Sequence, residues 1–457
     1  MIEPNNISFR DTAARVIKKE DGYYRYIFLE YKNEYDHLMQ SGLYQELIQK
    51  KLLIEHQEVD TDTNLKNVYK KLYPNQIEFQ SYPFEWSYTQ WRKAILSYLK
   101  INLIALRYGM ILKDATPYNF YLVGGYAIMF DTSSFMFFKE NDRWNAYRQF
   151  CEEFLSPIAL MHHNGAGWSK LTIANLKGLP LNFVSRHLPL KSWLNLTTLL
   201  HIHLHSKYYR DDKKIIDKQN IKKGFSVEKI TLLNEMILKT IGKWNHAYQY
   251  NNNWDSYYEK DIQSSTYLND KEITLRKWLK FIQPKSVIDL GANTGKFSFI
   301  AAEYSAKVIA IEADEECVDI IENTISSKKN NNIFTLVGEL AEPTPNIGLL
   351  CQERESIFVR GKAELALGLA LIHHLHITHK MSFYQIAELF NQFSSKYVVM
   401  EFIGKDDEKV EFLSLNKKIN LNDYCEEDFV KKMEKYFTVV DRKPLVDSQR
   451  VLYLFKK

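Results

Sequence analysis

The sequence predicts an α/β protein: a doubly wound, largely parallel sheet in the C-terminal part, preceded by an α+β domain. Three observations carry this. Ser286–Leu290 and Lys307–Glu312 are apolar runs of buried-strand length. Between them, Gly291–Gly295 sets a tight glycine turn ahead of a helix. From about Leu268 onward, helical and strand patterns alternate to the C-terminus, as in a βαβ sheet. Asp289 stands at the carboxyl end of the first strand and Glu312 at the end of the second. Glu312 lies about 20 residues past the turn, where an acid holds a ribose diol.

The remaining elements follow in chain order. In the first half, Ile111–Asn119 precedes the two apolar runs of Phe120–Asp131, and Gly124–Gly125 marks a hairpin between them. The order Asp114, Asn119, hairpin, Asp131 matches the loop of protein kinases in which one Asp meets the substrate hydroxyl while Asn and a second Asp hold Mg²⁺. Only Gly22, Gly42 and Gly109 come earlier, no Val–Ala–Ile–Lys strand is present, and Asp131 is followed by Thr–Ser rather than Phe–Gly. The expectation is a degenerate kinase-like domain over residues 1–215. A polar, basic stretch from Asp211 to Lys229 and the run Asn251–Asn253 place a helical linker at 216–265. The domain 266–457 then reads Ile333–Val337 as a third strand, Ala363–Ile372 as a fourth and Tyr397–Phe402 as a fifth. Asp423–Tyr436 is a helix, and Phe437–Asp441 with Val451–Phe455 a closing hairpin.

Composition excludes several classes. The chain has 457 residues, enough for two or three domains at ~150 residues each. Its net charge is only +4, so no strong electrostatic case for nucleic acid or an anionic membrane follows, and neither nucleic acid nor a membrane is expected as partner. Long apolar stretches are broken by Lys93, Lys100 and Arg107, so a spanning helix is not expected. The N-terminus lacks a signal-peptide pattern, and Cys151, Cys317, Cys351 and Cys425 form no C-x-x-C pair, so a reduced, cytoplasmic protein is expected.

Glycine spacing separates the possible cofactors. A dinucleotide turn needs G-x-G-x-x-G, but Asn293 occupies the second glycine position. The pattern Asp289, Gly291, Gly295 instead resembles the first motif of class I methyltransferases that use S-adenosylmethionine, and the strand order resembles their seven-stranded sheet with an antiparallel last strand. The resemblance implies Asp289, Gly291, Asn293, Gly295 and Glu312 as cofactor-binding residues. It also implies Glu339, after the third strand, near the adenine amino group, the alternative being a solvated loop carboxylate. Trp254, Tyr257, Tyr258, Tyr267 and Lys271 precede the first strand and are candidates to close over the cofactor or to lie in the core.

Four histidines fall in Leu369–His379. Read as a strand, the segment would point His373 and His374 to opposite sides, and no second ligand group at metal spacing accompanies them, so no metal site is expected. Ile372–Leu375 is similar to the fourth-strand motif of methyltransferases carrying Ile–His–His–Leu, whose following loop faces the transferred methyl. His374 or His376 is then a candidate proton acceptor, the alternative being that the histidines only shape the pocket wall. Glu401 ends the fifth strand and is expected to reach the active face, a third candidate, to orient substrate or to act as base. The run His201–His205 reads as one face of a helix or strand.

Taken together, Tyr82–Trp86, Leu112–Asn119, Phe130–Phe135, Trp144–Cys151, Asp289–Gly295, Gln352–Ile357 and Ala370–Leu375 resemble the bacterial methyltransferase family that includes the nodulation protein NoeA, over nearly the whole chain. Departures are Glu364, where an Asp is expected to open the fourth strand, and Glu312 in place of the commoner Asp; both keep the charge. The resemblance implies a C-terminal domain that uses S-adenosylmethionine, with methyl transfer to a hydroxyl or similar nucleophile of a small molecule or glycan. Two other readings stay open: an RNA (tRNA) methyltransferase, and a bifunctional or regulatory protein with a nucleotide-binding half. The acceptor and the oligomeric state are not readable from the sequence.

Overall fold

The computed structural model describes residues 11–61, 67–140, 142, 144–207, 224–244, 265–417 and 424–457. The chain divides into two compact units, Met1–Gln249 with Gly348–Arg354, and Tyr250–Ile347 with Glu355–Lys457. Of the expected linker, residues 216–223 and 245–264 lie outside the described residues, as do Trp254, Tyr257, Tyr258 and Asp423. Its helix Val227–Lys243 buries Ile230, Ile237 and Ile241 in the core of the first unit.

In the first unit, β1 (Ala14–Lys19), β2 (Gly22–Phe28), β3 (His56–Val59) and β4 (Val68–Pro74) form an antiparallel sheet in the order β1-β2-β4-β3. The 20-residue helix Tyr88–Arg107 runs through the core. Its entry explains the Tyr82–Trp86 motif. Glu85 accepts from the Tyr82 amide at 2.8 Å, Trp86 Nε1 donates to Ser81 Oγ at 3.0 Å, and Gln90 accepts from the Ser87 amide at 2.9 Å. Glu85 and Gln90 satisfy backbone donors at helix starts, and Ser81 satisfies the buried indole. Further on, β5 (Met110–Leu112) pairs with β8 (Phe135–Phe137), and β6 (Phe120–Val123) with β7 (Tyr126–Met129) is the hairpin expected at Gly124–Gly125.

The second unit is built on a seven-stranded mixed sheet. Its strands are β9 (Ser286–Leu290), β10 (Lys307–Glu312), β11 (Ile333–Val337), β12 (Ala363–Gly368), β13 (Ser394–Ile403), β14 (Thr438–Pro444) and β15 (Arg450–Lys456), in the order β11-β10-β9-β12-β13-β15-β14. The first five are mutually parallel, and β15 runs antiparallel to both β13 and β14. The order reverses between β9 and β12, and ligands of open parallel sheets bind at such a switch, beyond the carboxyl ends of the strands.

One element differs from its sequence reading. The fourth strand ends at Gly368, not Ile372, and His374–Thr378 is a π-helical turn. Ala370 takes a left-handed φ of 54° and breaks the strand. The strand alternation argument for His373 and His374 therefore does not hold; their rings are neighbours, 4.1 Å apart. Short apolar runs fit helix and strand alike, which is why Leu369–Ile372 was legible as either.

Candidate active site

The turn after β9 is fastened to β10 by its backbone. The amides of Gly291 and Ala292 both donate to Ile311 O, at 2.9 and 3.0 Å, and the Asn293 amide donates to Glu312 Oε2 at 2.8 Å. Gly291 (φ 73°), Asn293 (φ 49°) and Gly295 (φ 82°) all lie in the left-handed region, which glycine enters freely and Asn tolerates. A Cβ on Gly295 would sit 2.8 Å from Ile321, and one on Gly291 would sit 3.0 Å from Leu371. The two glycines therefore permit close approach, the first toward the pocket wall and the second toward the helix Glu315–Lys328.

Beyond this turn lies a cavity of about 290 Å³ lined by Gly291, Asn293, Glu312 and Glu339 of the sequence candidates, together with Ile311, Asp314, Cys317, Leu340, Leu369–Leu371, His374, Thr378 and His379. Glu312 holds its position through two backbone donors, the amides of Asn293 and Asp314. Burial raises its carboxyl above the ordinary range despite these bonds. Glu339 accepts from the Ala341 amide and lies 3.6 Å from His379 Nε2.

Two candidates stand behind the wall. Asp289 is buried and accepts from Ser298 Oγ at 2.5 Å, which ties β9 to the helix after the turn; burial pushes its carboxyl up to about 6. Gly295 opens that helix. Both shape the turn without lining the cavity.

The three candidate proton acceptors separate clearly. His374 lines the cavity, and burial lowers its imidazole to about 4, so it is neutral at ordinary pH. His376 stacks on Phe383 at 4.6 Å and packs near Tyr424, away from the cavity lining. Glu401 was expected to reach the active face, but its fully buried carboxylate is engaged on both oxygens: by Lys271 Nζ at 2.6 Å, by Tyr267 Oη, by Arg450 at 3.6 Å and by the Ala370 amide at 2.8 Å. Burial raises this carboxyl, but Lys271 and Arg450 bring it below its ordinary value. An acid so held is a fixed anion that positions the turn Leu369–Leu371. Tyr267 and Lys271 are accordingly core residues and not a lid.

Sequence reasoning missed Asp314, Cys317, Leu340, Thr378 and His379. Each lies within a few residues of a strand's carboxyl end or in the turn after β12, and that position was the available signal. Among the described residues no group of acidic, Cys and His side chains is arranged to hold a metal, and no helix is long and apolar enough to cross a membrane.

The strand order with one antiparallel strand, the turn with Asn293 where a dinucleotide fingerprint has glycine, and the acid at the end of β10 are those of a class I S-adenosylmethionine-dependent methyltransferase. In sequence the chain is similar to a nodulation protein. It is 27% identical over 392 residues to the nodulation protein NoeA of Rhizobium meliloti (strain 1021), covering 83% of this chain and 80% of that protein. No protein-family model matches it. Similar solved structures include the N-methyltransferase NodS of Bradyrhizobium japonicum WM9 (10% identity, 43% of this chain and 99% of that one, TM-score 0.32). They also include the magnesium protoporphyrin IX methyltransferase ChlM of Synechocystis PCC 6803 with bound SAH (15%, 43% and 89%, 0.31) and the bifunctional kinase-methyltransferase WbdD (16%, 44% and 41%, 0.31).

The cavity fits S-adenosylmethionine in its chemistry. A half-buried carboxylate suits a diol, apolar Ile311, Leu340 and Leu371 suit a base, and Gly291 leaves backbone bare where a side chain would intrude.

Proposed function

We propose that the second unit transfers a methyl group from S-adenosylmethionine to a hydroxyl or similar nucleophile of a small molecule or glycan. Glu312 accepts the ribose hydroxyls, Gly291 and Asn293 bind the methionine part, and Glu339 faces the adenine end. Asp289 and Gly295 keep the turn in shape. The cofactor supplies an activated methyl on a sulfonium, so the protein's contribution is alignment of the acceptor, an effect worth ~7–11 kcal/mol in ideal cases.

The observation that carries the reading is the neutral imidazole of His374 on the cavity wall. A hydroxyl acceptor must lose a proton as the methyl arrives, and of the three candidate bases only His374 faces the space where that happens. RNA as acceptor has less support, since the net charge is only +4.

The test supplies methyl-labelled cofactor to the full chain with bacterial glycan, small-molecule and tRNA fractions. Label is expected in the first or second and not in tRNA. His374→Asn should lower the rate about 10²–10⁴-fold with cofactor affinity by calorimetry within a few-fold of wild type. Full activity in that variant removes His374 as base, and label confined to tRNA removes the proposed acceptor class.

A further inference from the structure

A low net charge conceals one strongly polarised region. Between Glu153 and Asp211 the sequence contains no Asp or Glu, yet it carries Lys170, Lys177, Arg186, Lys191, Lys207 and Arg210. Within this span, in the first unit, lie the most protruding aliphatic side chains among the described residues: Leu190 and Leu194 are 87% and 91% exposed, and Leu196 and Leu200 are exposed beside them. They sit on consecutive short helical segments, Leu190–Leu194, Leu196–Thr198 and Leu199–Leu204.

The region is nonetheless firmly built. Ser192 and Ser185 hydrogen-bond the two ring nitrogens of buried His203, each at 2.8 Å. Trp193 stacks on that imidazole at 4.1 Å, with the Lys207 ammonium 5.0 Å from its ring centroid. Asn195 caps the next segment by accepting from the Thr197 and Thr198 amides. The leucines therefore protrude from an ordered scaffold. Their exposure loses hydrophobic free energy unless something apolar covers them.

We propose that this face binds the surface of an anionic lipid bilayer. Protruding leucines, a half-buried tryptophan and Lys and Arg in a stretch of chain without Asp or Glu are the composition of an interfacial segment. Its apolar side chains enter the headgroup boundary while its cations meet lipid phosphates. A protein partner is less well matched, because protein interfaces are depleted in Lys and pair apolar groups with complementary pockets. Nucleic acid is matched worse still, since aliphatic leucines gain nothing from phosphates. The association is peripheral and needs no spanning helix.

The test is co-sedimentation of the full chain with vesicles of phosphatidylcholine containing phosphatidylglycerol, against vesicles of phosphatidylcholine alone, at low and high salt. Binding is expected to the anionic vesicles only and to weaken with salt. The double variant Leu190→Glu/Leu194→Glu should lower the vesicle partition constant roughly ten-fold or more. Arg186→Glu/Lys191→Glu should lower it and remove most of the salt dependence. All these positions are exposed, so circular dichroism and cofactor affinity should match wild type. No binding to anionic vesicles, or equal binding by the leucine variant, overturns the proposal. So does self-association that the leucine variant abolishes in a protein that ignores vesicles, since a second copy then covers the face.

Discussion

Glu401 accepts a hydrogen bond from the Ala370 amide at 2.8 Å, so an anion buried in the fifth parallel strand fixes the left-handed residue that ends the fourth. The same carboxylate holds Lys271 and Arg450, both themselves buried. Removing its charge leaves Lys271 without its anion, whereas Arg450 keeps Asp407 at 2.8 Å. Glu401→Gln should therefore destabilise the second unit by about 3–5 kcal/mol in denaturant unfolding, the usual scale for breaking a buried pair. Glu401→Gln/Lys271→Met should recover part of that loss, because the stranded cation goes with it. A double variant no more stable than the single one would show that Lys271 is not what Glu401 stabilises.

Glu312 is the one carboxylate that both lines the cavity and is aimed by two backbone amides. Glu312→Ala should weaken cofactor binding by about 1.5–3 kcal/mol, the worth of hydrogen bonds to a charged group, or roughly ten- to a hundred-fold in calorimetry. Glu312→Asp keeps the charge on a shorter arm and should lose less. Wild-type affinity in the Ala variant would remove the ribose role.

The first unit contains the expected constellation, but with its acids already engaged. Asp131 accepts from Arg25 at 2.5 Å and from the hydroxyls of Ser133 and Ser134 at 2.5 and 2.6 Å. Asp114 accepts from Gln149 at 2.5 Å. Burial raises the Asp131 carboxyl, and Arg25 with the serines brings it below its ordinary value. A divalent ion would have to displace a guanidinium from a nearly closed site, so Mg²⁺–ATP is expected to leave the melting temperature unchanged. Arg25→Ala, which strands the buried Asp131, should cost about 3–5 kcal/mol. Stabilisation of the wild type by Mg²⁺–ATP would reverse this reading and favour a nucleotide-binding first half.

What the sequence made legible was local. Asp289, Gly291, Asn293, Gly295 and Glu312 fall within a single strand–turn–helix–strand, where period and turn chemistry act over a few residues. Four of the five parallel strands were bounded to within a few residues. The failures are contacts between distant positions. Nothing near Glu401 signals that Lys271, 130 residues earlier, neutralises it, or that Arg450 closes the cluster. Arg25 and Asp131 are 106 residues apart and meet only through the packing of the first unit. The histidine segment was misread for another reason: Leu369–Ile372 satisfies both periods, and only the backbone break at Ala370 decides between them.

Asp289 joins the local motif to a pH effect that can be measured. Burial raises its carboxyl from an ordinary 3.8 to about 6, partly opposed by Ser298 and Lys271. A carboxyl with a higher pKa folded than unfolded holds its proton more tightly in the native state. Its contribution is therefore full below about pH 3.8 and is lost as pH rises through about 6. At pH 7 the charged, buried form then costs the folded protein on the order of 3 kcal/mol. Asp289→Asn retains an acceptor for Ser298 and removes the charge. It should be more stable than wild type at pH 7, with the difference shrinking toward zero near pH 4, in paired denaturant titrations. Cofactor affinity should fall less in this variant than in Glu312→Ala, because Asp289 shapes the turn from behind the cavity wall. A stability difference independent of pH would place the native carboxyl at its ordinary value and leave the Ser298 hydrogen bond as the only role for Asp289.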